Sequence, residues 1–102
     1  MKFICSGKVY DTENSEIITS FKRNWSIKVR ANTYDHVDLS TRIYQTKKGV
    51  FYIVAQYEHT AVFDVITKDE VKNILEENNN VTAYEKLFGK LQEAWYHELY
   101  EY

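Results

Sequence analysis

The pattern of apolar and polar positions changes character about two-thirds of the way along the chain. Before that point apolar residues recur every second position. "WSIKV" (25–29) alternates strictly, which puts Trp25, Ile27 and Val29 on one side of an extended strand and Ser26, Lys28 and Arg30 on the other. "KFIC" (2–5) and "KVY" (8–10) flank Ser6-Gly7, and "DTENS" (11–15) is a turn-forming run before "EIITSF" (16–21). These spacings predict that Val9-Tyr10 and Ile17-Ile18 lie in neighbouring strands. The clearest hairpin signal is "STRIYQTKKGVFYIVAQY", in which Thr46-Lys47-Lys48-Gly49 makes the turn between β-branched and aromatic flanks. Residues 50–57 are apolar on both faces, with Val50, Tyr52 and Val54 against Phe51, Ile53 and Ala55, so this strand is expected to be central. "AVFDVI" (61–66) supplies one more strand.

From residue 67 the period becomes helical. Thr67-Lys-Asp-Glu70 and Thr82-Ala-Tyr-Glu85 both fit the capping box, in which Thr accepts from the third amide and Glu reaches back. Val71, Ile74 and Leu75 form a stripe on a first helix that should stop at "ENNN" (77–80). Tyr84, Leu87, Phe88, Leu91, Ala94, Trp95 and Leu99 continue the i, i+3, i+4 rhythm and predict a second helix running to the end of the sequence. The expected fold is therefore α+β: an antiparallel sheet of about five strands (1–66), then two helices (67–102) packed on one face. At 102 residues, one domain is expected.

Composition narrows the function more than the fold. Apolar residues make up 44% and charged residues 27%, the balance of an ordinary globular chain. No segment approaches 18 consecutive apolar residues, so no membrane contact is expected. "MKFICSGKVY" lacks the long apolar core of a signal peptide, and a cytoplasmic location is expected. The lone Cys5 excludes an internal disulfide and a multi-cysteine zinc site. Its apolar strand setting reads as a small buried residue rather than a nucleophile. His36, between Asp35 and Asp38, lacks the converging ligands a metal needs and reads as part of a solvated loop; His97 reads as surface. There is no Gly-rich phosphate loop, no nucleophile elbow and no zincin motif, and Glu76-Glu77 read as a solvated helix surface. The expectation is a protein without catalysis, cofactor or metal.

Two stretches suggest binding instead. "FKRNWSIKVR" (21–30) interleaves Lys22, Arg23, Lys28 and Arg30 with Trp25, the mixture of cations and aromatics that suits single-stranded nucleic acid. Arg42, Lys47 and Lys48 would extend its basic stripe. Residues 1–65 carry nine Lys/Arg against seven Asp/Glu, and residues 66–102 carry four against eight, so charge is segregated along the chain. The net charge of −2 argues against tight nonspecific binding to phosphates. At the acidic end, "AWYHELYEY" turns Glu93, Tyr96, Tyr100 and Glu101 outward if Trp95 and Leu99 pack inward. Nine tyrosines exceed what a core of this size can bury with their hydroxyls satisfied, and exposed tyrosine is common at protein interfaces. Glu93, Tyr96, Tyr100 and Glu101 are therefore the candidate protein-binding residues. Lys22, Arg23, Trp25, Lys28 and Arg30 are the nucleic-acid-binding alternative. A third alternative is a structural homodimer pairing through aromatics on the second sheet face.

At "GKVYDTENSEII" and "IYQTKKGVFYI" the chain resembles small proteins of Gram-positive bacteria, phages and other mobile elements. Those share a Gly-Lys-x-Tyr-Asp-Thr-Glu start and a Tyr-x-Thr-Lys-x-Gly-x-Phe/Tyr hairpin. The matching residues are Gly7, Lys8, Tyr10, Asp11, Thr12 and Glu13, then Tyr44, Thr46, Lys47, Gly49 and Phe51. Some small mobile-element proteins of this general kind are anti-CRISPR inhibitors. The resemblance implies a host-defence inhibitor of a Cas9-type effector or its guide-RNA complex, and the expected mode is stoichiometric occlusion, with the acidic, tyrosine-bearing helical face in a groove that normally accepts nucleic acid. It covers about the first 57 residues, and the helical last third departs from the short ends of those proteins.

Overall fold

The structure is a computed structural model, and it describes residues 1–94. It is α+β, with elements in the order β1 (Lys2–Cys5), β2 (Lys8–Asp11), β3 (Glu16–Arg30), β4 (Thr33–Gln45), β5 (Phe51–Tyr57), β6 (Thr60–Ile66), α1 (Lys68–Glu77) and α2 (Val81–Phe88). β3 to β6 form an antiparallel meander in chain order, and β1 and β2 form a separate hairpin. Among the described residues, the expected single sheet of about five strands is thus six strands in two sheets. β2 pairs only with β1, so Val9-Tyr10 and Ile17-Ile18 are not in neighbouring strands. The cause is local. Asp11 accepts from the Glu13 amide and the Asn14 side chain, and Ser15 donates to the Asp11 carbonyl; together these wind residues 12–14 into one 3-10 turn and redirect the chain.

The two faces of the meander are covered differently. Phe51, Ile53 and Ala55 of β5 face the helices, where they join Ile43, Ile66, Val71, Leu75 and Ala83 in one core. Tyr52 and Val54 face the other way and pack with Tyr10 and Tyr44 beneath the β1–β2 hairpin. All five residues from Phe51 to Ala55 are buried, as a central strand with two covered faces requires. Tyr44 stacks on Tyr52 at 5.2 Å between ring centroids, Tyr10 meets Tyr52 edge-on at 5.3 Å, and Phe3 stacks on Phe63 at 4.7 Å. The Tyr52 hydroxyl donates to Ser15 Oγ at 2.7 Å, which makes its burial tolerable. Tyr10, Tyr44 and Tyr52 are therefore core residues. This second face, expected to be free for a homodimer, is occupied by the chain's own hairpin. Cys5 lies half-buried at the margin of the same cluster.

Turn chemistry sets these strands. Ser6 (φ 51°) and Gly7 (φ 72°) are both left-handed, the two-residue arrangement that matches hairpin twist. Gly49 (φ 88°) closes the β4–β5 turn, where its amide donates to the Thr46 carbonyl and the Val50 amide donates to Thr46 Oγ1.

The first predicted capping box is present: Thr67 Oγ1 accepts from the Glu70 amide and the Glu70 carboxylate accepts from the Thr67 amide. The second is not. Asn80 caps α2 by accepting from the Ala83 amide, and Glu85 instead accepts from the Leu91 amide. The asparagine run divides the work of stopping one helix and starting the next. Asn78 donates to the Ile74 carbonyl. Asn79 takes φ 52°, and the Asn79 and Asn80 amides close back on Glu76 and Leu75 as in a Schellman ending. Asn80 also donates to Thr19 Oγ1, tying the helix pair to β3. The expectation that the second helix continues past residue 88 is overturned: α2 ends at Phe88, and Gly89 at φ 98° turns the chain away.

Candidate binding surface

β3 and β4 outrun the rest of the sheet. The β4–β5 ladder covers Thr41–Gln45, so, among the described residues, 22–30 and 33–40 pair with each other alone. At about 3.4 Å per residue this two-stranded ribbon projects roughly 27 Å. The molecule measures 53 × 31 × 21 Å, with a radius of gyration of 16.4 Å. A compact chain of this length has one of about 13 Å. The ribbon closes at Ala31-Asn32, with Asn32 at φ 60°. The Asp35–Asp38 segment, read as a solvated loop, is part of β4, although His36 itself is exposed.

Cross-strand partners share a face, so the register sorts the side chains. Lys22, Asn24, Ser26 and Lys28 oppose Ser40, Asp38, His36 and Tyr34, and all eight are exposed. Arg42, beside Ser20, extends this face, and Arg30 stands exposed near the tip after a register shift at Val29. The face carries Lys22, Lys28 and Arg42 against one carboxylate among the described residues, Asp38, which accepts a 3.0 Å hydrogen bond from Asn24. Tyr34, 51% exposed and paired with Lys28, is its one aromatic.

Arg23, Trp25 and Ile27 lie on the opposite face with Leu39, Val37 and Asp35. Trp25 is buried, and its indole N–H donates to Thr41 Oγ1, which donates in turn to the Leu39 carbonyl. The Arg23 guanidinium lies 4.5 Å from the Trp25 ring centroid and 3.7 Å from the Asp64 carboxylate. Tyr57 donates to Asp35 at 2.7 Å, and this bond pushes its pKa from 10.0 to about 12. The five alternative residues are thus divided: Lys22, Lys28 and Arg30 face solvent, while Arg23 and Trp25 serve the fold. Val29, expected in the core, is 46% exposed beyond the reach of the helices. Sequence reasoning missed Tyr34, because its place opposite Lys28 depends on a turn that contains no glycine.

Of the predicted acidic helical face, only Glu93 lies among the described residues. Glu93 is exposed and lies outside both helices; Tyr96, Tyr100 and Glu101 lie outside the described residues. Exposed acids do occur on α1, at Asp69, Glu70, Glu76 and Glu77. Among the described residues no His, Cys, Asp and Glu cluster could hold a metal, and no helix is long and apolar enough to cross a membrane. No protein-family model, curated protein or solved structure matches the chain.

Proposed function

We propose that the protein is a small binding module that grips single-stranded nucleic acid through the polar face of its ribbon. The observation that supports this reading is the register: it places Lys22, Lys28 and Arg42 with Tyr34 and His36 on one solvent-facing surface, and the only acid on it among the described residues is already hydrogen-bonded. Lysine and arginine pair with phosphates, and an exposed tyrosine offers a stacking platform that accepts any base. Within the class that the sequence resemblance implies, the target is the guide-RNA complex of a Cas9-type effector, and the mode is stoichiometric occlusion without catalysis. The test is a titration of labelled single-stranded RNA and DNA at several salt concentrations. Binding should weaken steeply with salt, and K22E/K28E should reduce affinity tenfold or more. Absence of binding, or affinity indifferent to salt, would sink the reading.

A second reading is favoured by the exposed carboxylates of α1. In it, the helical side occupies a basic groove on a protein partner. A pull-down with and without nuclease separates the two: the first predicts a partner lost on digestion, the second a partner that resists it.

A further inference from the structure

The two motif segments, far apart in sequence, meet in space. β2 and the Thr46–Gly49 turn form the walls of an open groove of about 670 Å³. Lys2, Lys8, Lys47 and Lys48 rim it, and Val9, Tyr10 and Val50 supply its apolar floor. Val9 is 62% exposed and Val50 39%, so both present aliphatic surface to the groove. The groove's one carboxylate, Asp11, already accepts from the Glu13 amide and the Asn14 side chain, so its charge is partly satisfied. Four ammonium groups around an apolar floor call for a ligand that is anionic at its edge and flat and apolar in its body. A nucleotide has that character, and the groove volume lies in the range of small-molecule sites. The β1–β2 hairpin forming one wall packs on the sheet face that also bears Lys22, Lys28 and Arg42.

We propose that this lysine-rimmed groove is a second contact for the same single strand, holding a short phosphodiester segment with its phosphates on the lysines and one base over Val9 and Val50. The inference rests on the nucleic-acid reading above and adds a site to it. It explains why a chain of net charge −2 can still hold a polyanion: the cations are concentrated at two places on one side.

The test compares K47A/K48A with K22E/K28E, using a labelled single-stranded oligouridylate and following the methyl resonances of Val9 and Val50. With the groove engaged, K47A/K48A lowers affinity about tenfold and removes about 1.4 from the slope of log affinity against log salt, as expected for two lost phosphate contacts on a single strand. The Val9 and Val50 methyls shift on adding the oligonucleotide, and they shift with K22E/K28E as well. If wild-type protein binds the oligonucleotide while K47A/K48A binds equally well and those methyls stay still, the groove is overturned and the ribbon reading stands. If wild-type protein binds no oligonucleotide, both fall. A hexaglutamate peptide moving the same methyls at lower concentration than the oligonucleotide would reassign the groove to an acidic protein segment and overturn the inference.

Discussion

The block around β5 and the β3–β4 ribbon are built from the same kinds of strand, yet they obey different constraints. In the block, a layer covers each face, so Ile43, Tyr52 and Ile53 lose all solvent contact and any change of volume is felt. In the ribbon, one face is half-buried and the other wholly wet. Lys22, Asn24, Ser26 and Lys28 are not needed for packing, so they are free to be chosen for what they touch outside the molecule. The lesson is that charge on this chain has to be read by face, not by segment. "FKRNWSIKVR" looks uniformly basic in sequence, but Arg23 turns inward to Trp25 and Asp64 while Lys22 and Lys28 turn outward.

The sharpest way to break the contrast is to remove volume in both regions. Ile53→Ala should cost about 2–5 kcal/mol, whereas Ile27→Ala, half-buried in the ribbon, should cost about 1 kcal/mol; denaturant unfolding of the two variants checks this. Thr41→Val comes next. It keeps the shape but leaves the buried Trp25 indole N–H without its acceptor, for a loss of about 1–3 kcal/mol, visible in the thermal midpoint and in tryptophan fluorescence.

Tyr57 tests how the ribbon is tied to the block. Its folded-state pKa is raised to about 12, so the protonated phenol stabilises the fold below the ordinary value of 10.0, and that contribution is lost as pH rises toward about 12. Wild-type stability should fall over this window by more than that of Tyr57→Phe, as followed by unfolding midpoints at successive pH values. Glu58→Gly, at φ 53°, should raise stability by up to about 1 kcal/mol by relieving a left-handed conformation that side chains resist. The smallest effect on stability is expected from K22E/K28E, within about 0.5 kcal/mol, although binding should suffer most. A large stability loss there would show that the polar face is structural after all.

What could be read from the sequence was whatever is written locally. The strand alternation at 50–57, the glycine turn at 46–49 and the Thr67–Glu70 cap each depend on a few adjacent residues, and each is present. Several of the failures lie at turns and caps. This chain turns largely without glycine, placing Ser6, Asn32, Glu58 and Asn79 at positive φ. Ala31-Asn32 lacks the glycine that marks the β1–β2 and β4–β5 turns, so the β3–β4 ribbon, and with it the placement of Tyr34 and Asp35–Asp38, was not seen. At the α2 start, Asn80 outcompetes Thr82 because the preceding helix has just ended in a left-handed Asn79. At its end, the apolar rhythm continues past Gly89, but the backbone there does not. Of the candidate surface, the cations were visible and their division between faces was not, because it follows from pairing with β4.

The ribbon also has an evolutionary consequence. Its outer part, residues 28–34, lies beyond the Tyr57–Asp35 bond and pairs only with itself, so its length is largely independent of what holds the block together. Adding or deleting two residues on each strand would lengthen or shorten the arm by about 7 Å while every side chain kept its side. A change of one residue per strand would exchange the wet and half-buried sides. Reach is therefore a quantity that selection can adjust in even steps, at almost no cost to the rest of the molecule.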